Sequence, residues 1–593
     1  KESSAASDVY KRQDIDAVTF GADVSRRSLR RFGADEDFDR TRVISGVITS
    51  PATSAAPEAP AEGSLRRASI VMAAGTMVSR ILGFVRTYLL TVIAAGTSLT
   101  LDAFQAANTL PNVVFILLSA GVLNAILIPQ ITRAMKQPDG GQEFVDRLLT
   151  VSFASVLVVT TVATLASPWL LDLYFSSSGA TRHLTIFFGF ICMPQIFFYG
   201  LYAILGQVLN ARNQFAAFMW SPVLANVIQI AGLVWFLVQF GAHPDPATWT
   251  PEMVWVLAGT TTLGIIIQGL FLIIPLHRGG FRWRPRWGIR GYGLGAAARI
   301  TVWTFTALVI AQFAGIIMKK MLSHVRLVHP EVSSSISAYD NAFLIFMLPQ
   351  SFITTSILTA LFPRMSRANA DGSNSAMKKL LRQGLEMPAL AIIPCSLAMV
   401  VLARPGVQTV FSLEPGQVGS LARAVAVMGV GLLPFGIATL QQRYCFARED
   451  GKLNLIMQAV TTGVQLIILV TMFVFPPQHA LVVVAAAQTI ANLVGAVAWL
   501  VVASRQLGGI GMGEVNRLWT KLAVASIVAA VPTYLVAHGI DAAGHGAWVG
   551  HAGGTLIGGV LFVALFLVLA KILRIVEVLD LLNPMLRKVM RRS

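Results

Sequence analysis

Two arginines inside one apolar run constrain this chain more than any other feature. Residues 67–96 read RASIVMAAGTMVSRILGFVRTYLLTVIAAG, with Arg80 and Arg86 well inside the apolar part. The run exceeds the ~20 residues that a helix needs to cross a bilayer. A charge at mid-membrane costs about 2.5–3.5 kcal/mol on insertion scales, so such residues face a wet cavity or a partner. Snorkelling to an interface is the simpler alternative. Six residues at ~100° each set the two arginines ~120° apart and ~9 Å along the axis. They form no single tight clamp, yet both can border one wide cavity. Gly83 lies between them and keeps the wall low there.

The rest of the chain agrees with a membrane protein. Among 593 residues, 55% are hydrophobic and 13% charged, with a mean hydropathy of +0.67. Soluble domains carry about 25% charged residues. Residues 1–67 differ: they are polar, hold a Pro/Ala stretch at Pro51–Pro60, and balance 11 basic against 11 acidic residues. Low hydrophobicity without periodicity predicts a disordered tail. The net charge of +17 therefore belongs to the membrane part. Basic residues distributed between apolar runs speak against nucleic acid as a partner. Cys192, Cys395 and Cys445 make neither a disulfide framework nor a metal spacing. No secretory leader is expected, because the first apolar run is too long and begins too late. The chain begins at Lys1 rather than Met, and a preceding segment is expected.

Fourteen apolar runs fall near 68–93, 101–131, 148–175, 183–209, 215–240, 253–276, 296–319, 336–363, 380–402, 420–446, 453–476, 479–504, 518–538 and 551–573. The expected fold is all-α, with both termini on one side. Basic residues concentrate in the even loops, from Arg133, Lys136 and Arg147 through Arg278–Arg290 to Arg505 and Arg517. The positive-inside rule makes those loops and the termini cytoplasmic. Lys319, Lys320 and Arg326 break the pattern between runs 7 and 8.

The chain also repeats itself. Pro129-Gln-Ile-Thr-Arg133 matches Pro363-Arg-Met-Ser-Arg367, Leu110-Pro111-Asn112 matches Leu348-Pro349-Gln350, and Ala211-Arg212 matches Ala447-Arg448. The separations are 234, 238 and 236 residues. Six runs lie between copies, so the two halves keep one orientation, a transporter architecture. The expected organisation is a tail at 1–67, a first lobe at 68–276, a second lobe at 277–505, and two further helices with a basic tail at 506–593. Pro111, Pro194, Pro222, Pro349 and Pro434 interrupt runs and mark bending points.

The stretch Gly75-Thr-Met-Val-Ser79-Arg80-Ile-Leu-Gly83-Phe-Val-Arg86 resembles the first-helix motif of the MurJ (MviN) lipid II flippases. Asp102-Ala-Phe104 with Leu110-Pro111-Asn112 resembles the family's second helix, and Phe215…Pro222-Val-Leu-Ala-Asn226 its fifth. Leu361-Phe-Pro363 and Arg443…Arg448 also fit. The likeness covers roughly 68–505, and the alanine-rich spans and long tail point to an actinobacterial member. It implies membership of the multidrug/oligosaccharidyl-lipid/polysaccharide exporter superfamily and a plasma-membrane location. It further implies a V-shaped cavity between two six-helix lobes, and helices 13 and 14 grooved for a polyprenyl tail. Lipid II would be the substrate, with Ser79, Arg80, Arg86, Asp102 and Asn112 at substrate-binding positions. Several family features are missing. Thr87 stands where many members carry Asp, Phe115 and Ile116 where many carry arginines, and Leu344 near a further cavity arginine.

Arginine suits a pyrophosphate, which needs charge-assisted donors. Lys319 and Lys320 either replace the absent arginines or form an exposed interface pair, with Asp340 as a partner. Asp102 pairs with a cavity arginine or caps its helix. The histidines sit in loops without ligand spacing, and there is no nucleophile–base pair or phosphate loop, so neither an enzyme nor a bound metal or cofactor is expected. Membrane potential is the expected drive. A monomer among membrane lipids is expected, with Ser28 and Thr41 offered to a cytoplasmic regulator or kinase. Two other functions remain open: export of a drug or another polysaccharide lipid, and a non-transporting scaffold. Paired arginines argue against the drug–cation antiporters, which favour a buried carboxylate.

Overall fold

The computed structural model describes residues 62–119, 142–212, 214–288, 295–330, 332–411, 413, 415–544 and 547–578. The expected disorder of 1–61, with Ser28 and Thr41, falls outside them, as do Pro129–Arg133, Arg290 and the basic tail after 578. The first described helix starts at Glu62, inside the stretch expected to be tail.

Among the described residues, thirteen helices are long and apolar enough to cross a membrane, and a bent pair makes fourteen. We number them as spans 1 to 14. The first lobe holds span 1 (Ala74–Ile93), span 2 (Leu99–Leu118), span 3 (Val145–Leu165), span 4 (Gly179–Asn210), span 5 (Ala216–Gln239) and span 6 (Pro251–Arg278). The second holds span 7 (Val302–Val328), span 8 (Ile336–Ala370), span 9 (Asn374–Val401), span 10 (Gly416–Val430 with Leu432–Ala447), span 11 (Gly451–Phe473) and span 12 (Pro477–Leu507). Span 13 (Met512–Ala543) and span 14 (Trp548–Ile572) pair with each other and lie along span 9 and the short helix Ala403–Val410. His551 at the start of span 14 meets Asp541 at the end of span 13, so that histidine is helical rather than in a loop.

The repeat is visible in the helix caps. Ser98 caps span 2 by accepting from Leu101 N–H at 3.3 Å, and Ser335 caps span 8 by accepting from Ala338 N–H at 3.1 Å. A cap satisfies one of the amides that a helix start leaves unpaired, worth about 1 kcal/mol. Each lobe has its own apolar core. The first packs Phe104, Phe188, Phe236 and their neighbours; the second packs Phe346, Leu432 and Val484. Ile336, at the start of span 8, crosses over and is fully buried in the first lobe's core.

Prolines act unequally. Pro194 sits at the break between Gly179–Cys192 and Gln195–Ala211, and Pro349 precedes a π-helical turn at Gln350–Thr354. Pro363, by contrast, does not end span 8, which runs on to Ala370. Proline inside a helix costs about 3 kcal/mol. The turn beyond it buries Met365 and Ala368 in the same cluster as Met377 and Leu381 of span 9, and that burial carries the helix on. The sharpest bend, 51°, divides span 10 at Gly431. Two side chains reach the carbonyls there: Thr489 of span 12 donates to Val427 O at 3.1 Å, and Gln350 of span 8 donates to Leu432 O. Buried backbone groups need such partners where no water reaches.

Candidate functional site between the lobes

Span 1 is fastened to span 5. Gly75 admits Trp220: a Cβ there would lie 3.0 Å from the indole. Asn226 Nδ2 donates to Ser79 O at 3.0 Å and to Ser79 Oγ at 3.1 Å. Arg86 Nη1 donates to Gln229 Oε1 at 2.8 Å. These contacts set the rotation of span 1 and with it the direction of its charges. Arg80 points across to the other lobe, with its guanidinium carbon 5.7 Å from the centre of the Phe352 ring in span 8. That distance is within cation–π range. A Cβ at Gly83 would meet nothing within 4 Å, so open space separates the two arginines. Arg86 Nε is buried and has no hydrogen-bond partner among the described residues. A buried donor left in this way costs about 1–3 kcal/mol, more when charged, and is an explanation-seeking feature at a binding site.

The other expected site residues lie elsewhere. Asn112 is exposed on span 2, next to the buried Pro111. Asp102 is 1% exposed and belongs to the contact between lobes. It accepts from Ser337 N–H at 2.8 Å and lies 3.8 Å from Arg326 Nε. The helix cap is Ser98 instead, and Arg326 on span 7 replaces the expected cavity arginine as the partner of Asp102.

Lys319 and Lys320 are not an exposed pair. Lys319 is 8% exposed, bonds the Asp340 carboxylate at 2.9 Å and sits 5.6 Å over the ring of Tyr174. Lys320 donates to the carbonyl of Asp172. Asp172 and Tyr174 belong to the short helix Ser167–Tyr174 of the first lobe. Ser323 completes the series by accepting from Ser176 N–H at 2.9 Å. Positions 319, 320, 323 and 326 fall on one face of a helix with 3.6 residues per turn. One stripe of span 7 thus carries the polar contacts to the first lobe at the end that the charge rule assigns to the outside. At the same end, Thr97 N–H donates to Gln417 Oε1 of span 10 at 3.1 Å. Asp172, which lies outside the membrane-spanning helices, also meets Arg182 at 2.7 Å, and that holds its carboxyl below the usual aspartate range.

Where many family members place arginines, Phe115 and Ile116 line a cavity of about 410 Å³ between spans 2, 7, 10 and 11. Its polar wall consists of the amides Gln442, Asn454 and Gln458, with Ser119 and Thr304. Sequence reasoning passed over these amides, together with Gln229 and Phe352. The available signal was their rarity: a carboxamide in an apolar run needs a partner just as a charge does. A second, apolar groove of about 470 Å³ runs between spans 9, 10 and 13, with Ile393, Leu433 and Trp519 on its walls.

The family profile described as Lipid II flippase MurJ matches residues 92–547, most of the chain. The chain belongs to the lipid II flippase MurJ family. A probable lipid II flippase MurJ of Rhizobium meliloti (strain 1021) is 25% identical over 435 residues, covering 71% of this chain and 77% of that protein. The counterpart in Vibrio cholerae is 24% identical over 404 residues, covering 65% of this chain and 74% of its own length. A solved lipid II flippase MurJ, titled as an inward closed conformation, superposes with a TM-score of 0.66 at 18% identity, covering 85% of this chain and 98% of that one. An inward-facing multidrug transporter of the MOP superfamily follows at 0.57 and 15%, covering 74% and 98%. At these identities the superpositions speak for the fold alone. MurJ family members are membrane transporters rather than enzymes, which agrees with the multi-span architecture. The profile starts at residue 92, after Arg80 and Arg86, so the assignment to the MurJ family does not depend on the arginine pair.

Proposed function

We propose that this chain flips lipid II from the inner to the outer leaflet of the bacterial plasma membrane by alternating access. The carrying observation is the arginine pair of span 1. Arg80 reaches to the second lobe, Arg86 keeps a buried unpaired N–H, and the wall between them is open at Gly83. A pyrophosphate offers the acceptors that such donors need. The sugar hydroxyls and peptide amides of the head group suit the amide-lined cavity of Gln442 and Gln458. The prenyl tail stays in hydrocarbon along the groove of spans 9, 10 and 13.

In this reading the polar stripe of span 7 closes the outer end while the head group loads. The stripe must release Asp172, Ser176 and Asp102 for the lobes to part, which frees Lys320 and Arg326 toward the exit. Membrane potential drives the cycle, since a charge crossing the field is worth about 2.3 kcal/mol per 100 mV. Sodium is a weaker candidate: spans 7, 11 and 12 contain no Asp or Glu, and hard cations prefer charged oxygen ligands.

The test is rescue of a flippase-depleted strain, with outer-leaflet lipid II as the readout. Arg80→Ala and Arg86→Ala should each abolish rescue at normal protein level. Full rescue by both would remove the cationic cavity from the mechanism, whereas failure of the unaltered chain to rescue would favour the scaffold. A drug–cation antiporter is disfavoured by a specific observation. The carboxylates Asp102 and Asp340 at the lobe contact already face Arg326 and Lys319.

A further inference from the structure

Outside the inter-lobe site, a large cavity lies on the lipid-facing side of the first lobe. It is a groove of about 810 Å³ between spans 3, 4 and 6. Small-molecule sites span ~300–1,000 Å³. Phe153, Leu201 and Leu205 form its floor, and Leu157, Leu270 and Ile273 on its walls are exposed. Its mouth therefore opens toward hydrocarbon.

A strap of residues 281–287 closes one end. The strap leaves span 6 and is fastened to span 3. Arg284 N–H donates to Asp146 Oδ1 at 3.2 Å, Arg286 N–H to Thr150 Oγ1 at 3.0 Å, and Trp283 Nε1 to the same hydroxyl at 3.3 Å. Trp283 meets Phe153 edge-on at 5.4 Å, and Arg286 pairs with Glu143 at 3.2 Å. The fastening leaves Trp283 and Trp287 exposed, while Arg282, Trp283 and Trp287 also line the groove. Among the described residues, Arg147, Arg282, Arg284 and Arg286 stand around that end with the carboxylates Glu143 and Asp146. Tryptophan favours the headgroup level of a bilayer, and the charge rule puts this end at the cytoplasmic leaflet, where anionic lipids concentrate.

We propose that this groove is a binding site for an anionic glycerophospholipid. One acyl chain lies between spans 3 and 6, and the phosphate is at Arg282 and Arg284, framed by the two indoles. The guanidinium groups of Arg282 and Arg284 select the anionic headgroup, and the apolar walls accept the chain. The site is separate from the inter-lobe cavity and does not depend on the transport reading.

The experiment uses the full chain in nanodiscs and reads tryptophan quenching by brominated-chain lipids. Brominated phosphatidylglycerol should quench several-fold more effectively than brominated phosphatidylcholine at equal mole fraction. The Trp283→Phe/Trp287→Phe variant should lose that quenched component. Arg282→Gln/Arg284→Gln should erase the preference between lipids, while the Lys variants at both positions should keep it, which guards against a folding effect. Equal quenching by both lipids, or a preference that survives the Gln variant, overturns the proposal. So does relief of quenching by undecaprenyl phosphate at low mole fraction, which would give the groove to a prenyl tail.

Discussion

Neutralising Asp102 is the sharpest probe of the contact between lobes. In Asp102→Asn the side-chain oxygen still accepts from Ser337 N–H, so shape and one bond are kept. The charge facing Arg326 is lost, and that arginine side chain is only 11% exposed. Removing one partner of a buried pair costs about 3–5 kcal/mol when the geometry is tight. At 3.8 Å the pair is long, and about 2–3 kcal/mol is the fitting range. At 1.4 kcal/mol per tenfold, the closed-to-open ratio at this end should fall roughly 30- to 150-fold. The reporter is Ile336→Cys, which puts a thiol at the fully buried position where the second lobe plugs into the first lobe's core. An impermeant maleimide applied from outside should label it slowly in the parent and much faster with Asp102→Asn. Arg326→Gln should act alike, and the double variant should fall well short of the sum, because the two groups share one interaction. Unchanged labelling in both single variants, with normal expression, would refute the role given to this pair.

Gly431→Ala should lower Tm by a few degrees, because its Cβ would stand 2.7 Å from Thr489 Oγ1 and 3.1 Å from Met428 O, and overpacking costs about 1–3 kcal/mol. Gly83→Ala, with nothing within 4 Å, should leave Tm unchanged. Glu143 is held below its ordinary value of 4.5, first by the hydrogen bond from Arg147, then by its charge and that of Arg286. A depressed carboxyl supports the fold above its unfolded pKa and loses that support as pH falls through the folded one. The protection factors of the 284 and 286 amides, taken against the intrinsic exchange rate at each pH, should therefore fall below about pH 4.5, and Glu143→Gln should show the lowered protection already at neutral pH. Reporter fusions at Ser593 and in the 282–290 loop should both read cytoplasm; an outside signal at either would overturn the span order.

The spans were legible because a helix in lipid must be apolar for some twenty residues, and nothing else in the chain imitates that. The two-lobe plan was legible because Pro-x-x-x-Arg and Leu-Pro recur at nearly one offset, 234 and 238 residues. The end of span 8 was not: Pro363 is a stop signal in isolation, and only the burial of Met365 and Ala368 against span 9 overrides it. For the site, Arg80 and Arg86 announced themselves by their cost in an apolar run. The partners of Lys319 and Lys320 did not, because Asp172 and Tyr174 lie about 150 residues upstream and meet them only when the lobes dock. Asp102 likewise shows a charge in the sequence, but not which of many cations would face it.

The break in span 10 has a consequence for how such a helix comes to exist. Val427 O, in the last turn before the break, is served from outside by Thr489 of span 12, while Leu432 O opens the following helix and takes Gln350 of span 8 as an additional donor. Span 8 is made before span 10 and span 12 after it. A nascent span 10 in the bilayer therefore lacks the helper that Val427 O needs, and an unpaired carbonyl in lipid favours the straight, self-satisfied helix. The bend should arise late, when span 12 docks, rather than at insertion. Its angle is then a property of a three-helix assembly, and span 10 transplanted alone into another bundle would be expected to straighten.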